Sequence, residues 1–184
     1  SDAQTLRNLS EIQPKEILKS TFKKAIDELT VTDKGTAEVK NYISLKLSKP
    51  KIAENQPFIV PKKSVFNKII GDNPFELEFA SFLESRFDDV VSYAKNTMGE
   101  GGINFKIEYQ AQDGNIREYY PDFFVKTNDK TFYIVETKGR EDLDDIRKIQ
   151  RLFVWCKDIN TAQKDYTYSP VYIKQEKWDD IKND

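Results

Sequence analysis

Two short runs of aromatic and β-branched residues, Phe123-Phe124-Val125-Lys126 and Thr131-Phe132-Tyr133-Ile134-Val135, are separated by the polar stretch Thr127-Asn128-Asp129-Lys130. Such runs joined by so short a polar turn read as an antiparallel hairpin. Folding it about Asn128-Asp129 sets Asp122, at the start of the first strand, beside Glu136, near the end of the second. Side chains alternate faces along a strand, so Glu136 and Lys138 share one face and Thr137 takes the other. The hairpin therefore brings two carboxylates and an ammonium to one place.

That combination suits a hard divalent cation. Mg²⁺ takes oxygen ligands and keeps several waters, so Asp122, Glu136, a backbone carbonyl at Thr137 and substrate phosphate oxygens would make up its shell. Lys138 would orient or help deprotonate an attacking water and offset charge developing on phosphorus. The expected chemistry is cleavage of a phosphodiester backbone. The bland reading is a surface hairpin whose charges are merely solvated, which suits any one of these residues better than the set.

Composition excludes several rivals. The 184 residues include no histidine, which removes histidine nucleases, catalytic triads and His-ligated zinc. A lone Cys156 cannot form an internal disulfide, no apolar run is long enough for a membrane span, and no secretory signal is visible at Ser1-Asp2-Ala3, so a soluble cytoplasmic protein is expected. With 38% hydrophobic and 12% aromatic content the chain can bury one sizeable core plus a small appendage. The formal net charge of −2 means that affinity for nucleic acid must come from local clusters or other domains. No glycine-lysine phosphate loop occurs.

Organisation changes near Gly71. Before it, Ile17, Leu18, Phe22, Ala25, Ile26 and Leu29 predict a helix over 15–29, Thr32-Asp33-Lys34-Gly35 a break, and Val39, Tyr42, Ile43 and Leu47 a second short helix. Pro50, Pro57 and Pro61 mark 48–63 as a connector, with a short extended piece at Phe58-Ile59-Val60. Residues 1–70 are expected to be a helical extension and connector, and 71–184 the catalytic domain. Over 75–91, Phe75, Phe79, Ala80, Phe82, Leu83, Phe87 and Val90 gather on one helical stripe that includes Glu76, while Glu78 and Glu84 lie to its flanks. Asn73-Pro74-Phe75-Glu76 also reads as N-cap, proline at N1 and glutamate at N3, so Glu76 suits a cap or an inward-facing site, and one residue could serve both.

Further on, Gly99-Glu100-Gly101-Gly102 is a flexible loop, Phe105-Lys106-Ile107-Glu108-Tyr109 an alternating strand and Gln112-Asp113-Gly114-Asn115 a hairpin turn. A strand from Ile116 toward Tyr120 follows, so three or four consecutive antiparallel strands are expected to end at Glu136. Residues 142–158 read as a helix whose apolar face holds Leu143, Ile146, Ile149, Phe153 and Cys156, with Gln150 on the same side. Arg147, Lys148 and Arg151, flanked by Arg140 and Lys157, could approach DNA phosphates, although charge on a helix face is more often simply solvated. Trp155 lies off the main apolar stripe and Trp178 sits in a polar helix-like segment near the end, and either is a candidate to cover another subunit. The segment 166–173 is expected to be a final strand.

Tyr120-Pro121-Asp122-Phe123 with Ile134-Val135-Glu136-Thr137-Lys138-Gly139 resembles the PD-(D/E)XK nuclease superfamily. Phe-Glu-Leu-Glu-Phe-Ala from position 75 and Phe-Val-Trp-Cys from position 153 are most similar to the nuclease domain of the type III restriction subunit, and the likeness covers about 66–172. The resemblance implies a restriction-endonuclease-like α/β fold, with a mixed, mostly antiparallel sheet flanked by helices. It implies a Mg²⁺-dependent endonuclease on double-stranded DNA, Mn²⁺ being a possible substitute, with Asp122 and Glu136 as metal ligands, Lys138 as the catalytic lysine and Glu76 as a third acid that is catalytic and metal-binding. Thr137 and Gln150 become candidate supporting residues, and Arg140, Arg147, Lys148 and Arg151 candidate DNA contacts. In such an enzyme ATP acts only through a motor domain that this chain lacks, and the partners would be a helicase or translocase region and a methyltransferase subunit. A catalytically inactive DNA-binding or protein-docking module of the same fold is the alternative.

Overall fold

The structure is a computed structural model that describes residues 20–23, 25, 36–45, 48–51, 53, 55–140 and 142–182. Of the first predicted helix, residues 20–23 and 25 are helical and the rest lies outside the described residues, as does the break at 32–35. The second short helix is corrected: residues 36–44 carry no regular secondary structure, and Tyr42 and Ile43 are exposed. So short an apolar repeat cannot sustain a helix without a surface to bury it.

The first two strands, β1 (Phe58–Ile59) and β2 (Ile69–Ile70), form an antiparallel pair. Helix α1 (Pro74–Ser85) follows, then β3 (Val90–Lys95), β4 (Ile107–Gln110), β5 (Ile116–Tyr119), β6 (Phe123–Thr127) and β7 (Thr131–Lys138). The chain continues through α2 (Asp145–Ala162), β8 (Thr167–Lys174) and α3 (Gln175–Ile181). The main sheet has the order β3-β6-β7-β8, antiparallel throughout its first three strands and parallel between β7 and β8. A parallel neighbour requires a crossover, which α2 supplies. This mixed α/β sheet with helices on both faces is the restriction-endonuclease-like architecture expected above.

The β6–β7 hairpin has the predicted register, Phe123 opposite Val135, so Asp122 falls opposite Glu136. Lys130 adopts φ 66° in its turn, and Asp129 Oδ1 accepts from Thr127 Oγ1 at 2.6 Å and from Thr131 N at 3.0 Å, which locks the loop. The expected run of consecutive strands is corrected. β4 and β5 form their own two-stranded ribbon around Gly114, whose φ of 81° the turn requires. Pro121, between β5 and β6, has no N–H to donate to a ladder, and the two strands on either side of it pair with different partners.

Two apolar layers cover the sheet. On one face Phe75, Phe79 and Leu83 of α1 and Trp178 of α3 pack on Tyr93, Phe123, Val125 and Val135, with Phe66 and Ile69 added from before Gly71. On the other, Leu152 and Cys156 of α2 and Tyr109 and Tyr119 of the ribbon pack on Ile134. The long helix predicted over 75–91 ends at Ser85, and Val90 instead opens β3. The α2 face also differs from expectation: Leu152 and Cys156 are buried, whereas Leu143, Ile146 and Phe153 are exposed, and Gln150 with them. Trp178 is only 4% exposed among Phe75, Phe79 and Phe82, so it belongs to the core and covers no other subunit, while the half-buried Trp155 packs on Phe105 and Tyr168. No helix among the described residues is long and apolar enough to cross a membrane.

Candidate active site

Strand alternation divides the site between the two faces of the sheet. Lys95, opposite Phe123, and Thr137, next to Val135, belong to the face that α1 covers; Glu136 and Lys138 belong to the α2 face with Ile134. Asp122, just before β6, lies at the sheet end where the faces meet. Its backbone is fixed there, since its N–H donates to Val135 O at 2.9 Å and its carbonyl accepts from Asn96 N at 2.7 Å. The buried Asn96 also donates through Nδ2 to the carbonyls of Phe105 and Pro121, each at 2.8 Å.

Each acid of the pair is anchored on one side. Asp122 Oδ2 accepts from Thr137 N and Thr137 Oγ1, both at 2.7 Å, so Thr137 meets this acid through its amide and hydroxyl, not through the carbonyl that the sequence offered to the ion. Alternation alone aimed Thr137 away from the site, but Asp122 precedes its strand and can reach across the sheet end. Glu136 Oε2 accepts from Tyr119 OH at 3.0 Å. Among the described residues the second oxygen of each acid takes no hydrogen bond, and both residues are half-buried rather than sealed. Burial, and next the neighbouring Asp122, push the Glu136 carboxyl up to about 8. Burial likewise raises Asp122, against the hydrogen bonds from Thr137 and the charge of Lys95. Two adjacent half-buried acids whose carboxyl pKa values are both raised are a site that gains from binding a cation. Their hard oxygen donors fit Mg²⁺ or Mn²⁺, with waters and substrate oxygens completing the shell.

Lys138 stands on the α2 side in a four-charge cluster. Its Nζ lies 2.9 Å from Asp145 Oδ1 and 3.3 Å from Asp142 Oδ2, and Lys148 joins at 2.8 Å from Asp142 Oδ2. Burial lowers the Lys138 pKa and these acids more than restore it, so Lys138 is held charged. Both lysines bear on Glu136 electrostatically. Asp145, buried at the start of α2, went unrecognised in the sequence because it reads as ordinary first-turn helix chemistry.

Glu76 is the predicted N3 residue. Its N–H donates to Asn73 Oδ1 at 3.0 Å, while its carboxylate accepts from Asn73 Nδ2 and Asp72 N, each at 2.8 Å. It also faces Lys95 Nζ at 2.8 Å, a partner that nothing in the sequence announced. Among the described residues no group of three acidic, cysteine or histidine side chains gathers tightly enough to hold an ion. Of the basic candidates, Arg140 and Arg147 are exposed, Lys148 is engaged as above, and Arg151 Nε donates to the Glu108 carbonyl at 3.2 Å. Gln150 is exposed rather than turned inward.

A hairpin carrying Asp122, Glu136 and Lys138 at one end of such a sheet belongs to the PD-(D/E)XK class of nucleases. Within that class, the family model described as TnsA-like endonuclease N terminal matches residues 88–179, half of the chain, and the chain belongs to that family. The matched span contains Lys95, Asp122, Glu136 and Lys138, and Glu76 lies before it. No curated protein and no solved structure matches the chain.

Proposed function

We propose that this nuclease domain hydrolyses phosphodiester bonds of double-stranded DNA with the help of a divalent cation, Mg²⁺ or Mn²⁺ in its place. The reading is carried by one observation: Asp122, just before β6, and Glu136, near the end of β7, each have one oxygen anchored and, among the described residues, the other without a hydrogen bond, beside the charged Lys138. A cation bound there would polarise a phosphate oxygen and make a bound water more acidic. Tyr119 and Thr137 hold the two carboxylates in place. Lys138, steadied by Asp145, presents a fixed positive charge that offsets negative charge developing on the phosphate and positions the attacking water. Glu76 supports the site from the α1 face. Arg140 and Arg147 are placed to meet DNA phosphates, whereas Lys148 and Arg151 would have to leave internal partners to do so.

The finer assignment, as the cleavage module of a type III restriction-modification enzyme with an ATP-driven motor and a methyltransferase partner, rests on the residue likeness described above alone. It adds nothing to the chemistry argued from the site.

The test is nicking of supercoiled plasmid in Mg²⁺ or Mn²⁺. The wild-type chain is expected to cut, and Asp122→Asn to bind DNA without cutting. DNA binding with no cleavage by either protein, in either ion, would favour a docking module instead.

A further inference from the structure

Lys95 ends β3 with a side chain only 3% exposed. Its ammonium lies 2.8 Å from Glu76 Oε2 and 3.0 Å from Asp72 Oδ2. Burying an ion pair costs both partners their hydration, and an apolar pair of similar volume often serves stability as well or better. Stability alone therefore gives no reason for a lysine here. Position does: Lys95 is opposite Phe123 in the sheet, one residue from Asp122, and its charge acts on Asp122 as well as on Glu76.

The oxygens of Glu76 are taken. Oε1 accepts from Asn73 Nδ2, and Oε2 accepts from Asp72 N and pairs with Lys95. Among the described residues no third acid joins Asp122 and Glu136 in a cluster able to hold an ion. We propose that Lys95 is a positioning residue of the metal site: by pairing with Glu76 it keeps that acid out of the ion's ligand set and stands as a fixed positive charge beside Asp122. The inference rests on the reading that Asp122 and Glu136 hold the cation. It reassigns Glu76 from ligand to partner of Lys95, and it makes Lys95 a determinant of how tightly the ion binds.

The full chain tests this through Mn²⁺ affinity, measured by titration calorimetry and by the electron paramagnetic resonance of free Mn²⁺. Lys95→Met removes a repelling charge and leaves Glu76 unpaired, so Mn²⁺ is expected to bind about 10-fold more tightly. The double variant Lys95→Met/Glu76→Gln removes both charges together, and its affinity is expected within about 2-fold of wild type. A merely structural role would weaken binding in both. An affinity loss of about 10-fold or more in the double variant would make Glu76 a ligand and overturn the inference, as would a single variant that binds no tighter than wild type. Should Lys95→Met fail to fold, the charge-balanced double variant decides the matter by itself. Wild-type protein that binds no Mn²⁺ would overturn the underlying site reading. Wild-type binding that Asp122→Asn abolishes, together with a weakened double variant, would sink only the role given to Lys95.

Discussion

Asp122 receives two donors from the same residue, the Thr137 amide and hydroxyl. Thr137→Val keeps the amide and deletes the hydroxyl. Residues that orient ligands in this way typically matter by 10- to 100-fold, so cleavage by this variant is expected to fall by at least about 10-fold with little change in melting temperature. A loss of stability in step with the loss of cleavage would contradict that role. Glu136 carries a second prediction. Its folded pKa of about 8 lies above the ordinary 4.5, so the ion-free folded protein holds a proton that the unfolded chain releases. The contribution of Glu136 to stability should therefore be full below about pH 4.5 and decline as pH rises toward about 8, with Asp122 and Glu76 adding in the same direction, whereas the lowered Asp142 opposes them only at more acid pH. Melting curves of the ion-free protein should fall across that window, and Glu136→Gln should flatten them. A pH dependence of the melting temperature across that window that Glu136→Gln leaves unchanged would refute the assignment. The placement of Asp122 opposite Glu136, with Lys138 on the same face as Glu136, was legible because hairpin arithmetic and strand alternation are local rules. Lys95, Asn96 and Asp145 were not, because each acquires its meaning from a partner that only the folded sheet brings near.

At the scale of elements, α3 shows how tertiary packing overrides a polar pattern. Gln-Glu-Lys-Trp-Asp-Asp-Ile offers no amphipathic stripe, yet Trp178 inserts among Phe75, Phe79 and Phe82 and closes one face of the core. Trp178→Ala is expected to cost about 3–5 kcal/mol in urea unfolding, the scale for truncating a buried aromatic residue. A cost below about 1 kcal/mol would place the residue at the surface instead. The cap of α1 was readable residue by residue, from Asn73 through Pro74 to Glu76, and it formed as read. Asn73→Ala should remove about 1 kcal/mol of stability and loosen the turn that carries Asp72 and Glu76, which the same unfolding assay would register. The α2 face was misread because Leu143, Ile146 and Phe153 obey helical spacing as well as the buried set does. Contact with the β4–β5 ribbon and β8 chose between the two faces, and periodicity contains no information about that choice.

For the molecule as a whole, the decisive feature is a sheet whose two faces are assembled by different parts of the chain and meet at one end. Helix α1 and β3 deliver Glu76 and Lys95 to one side, β7 and the start of α2 deliver Glu136, Lys138 and Asp145 to the other, and Asp122 lies at the join. The fold class and the central hairpin could be read from the sequence. The separation of the β4–β5 ribbon from the main sheet could not, because β5 and β6 read as one run of strand on either side of Pro121 and strand propensity does not say which partner each half takes. The most direct measurement is a crystal of the full chain soaked in Mn²⁺, with diffraction recorded at a wavelength where manganese scatters anomalously. One anomalous peak is expected within about 2.2 Å of an oxygen from each of Asp122 and Glu136, with Glu76 still paired to Lys95. Manganese bound only at exposed surface carboxylates, with the Asp122–Glu136 pair bare, would contradict the account.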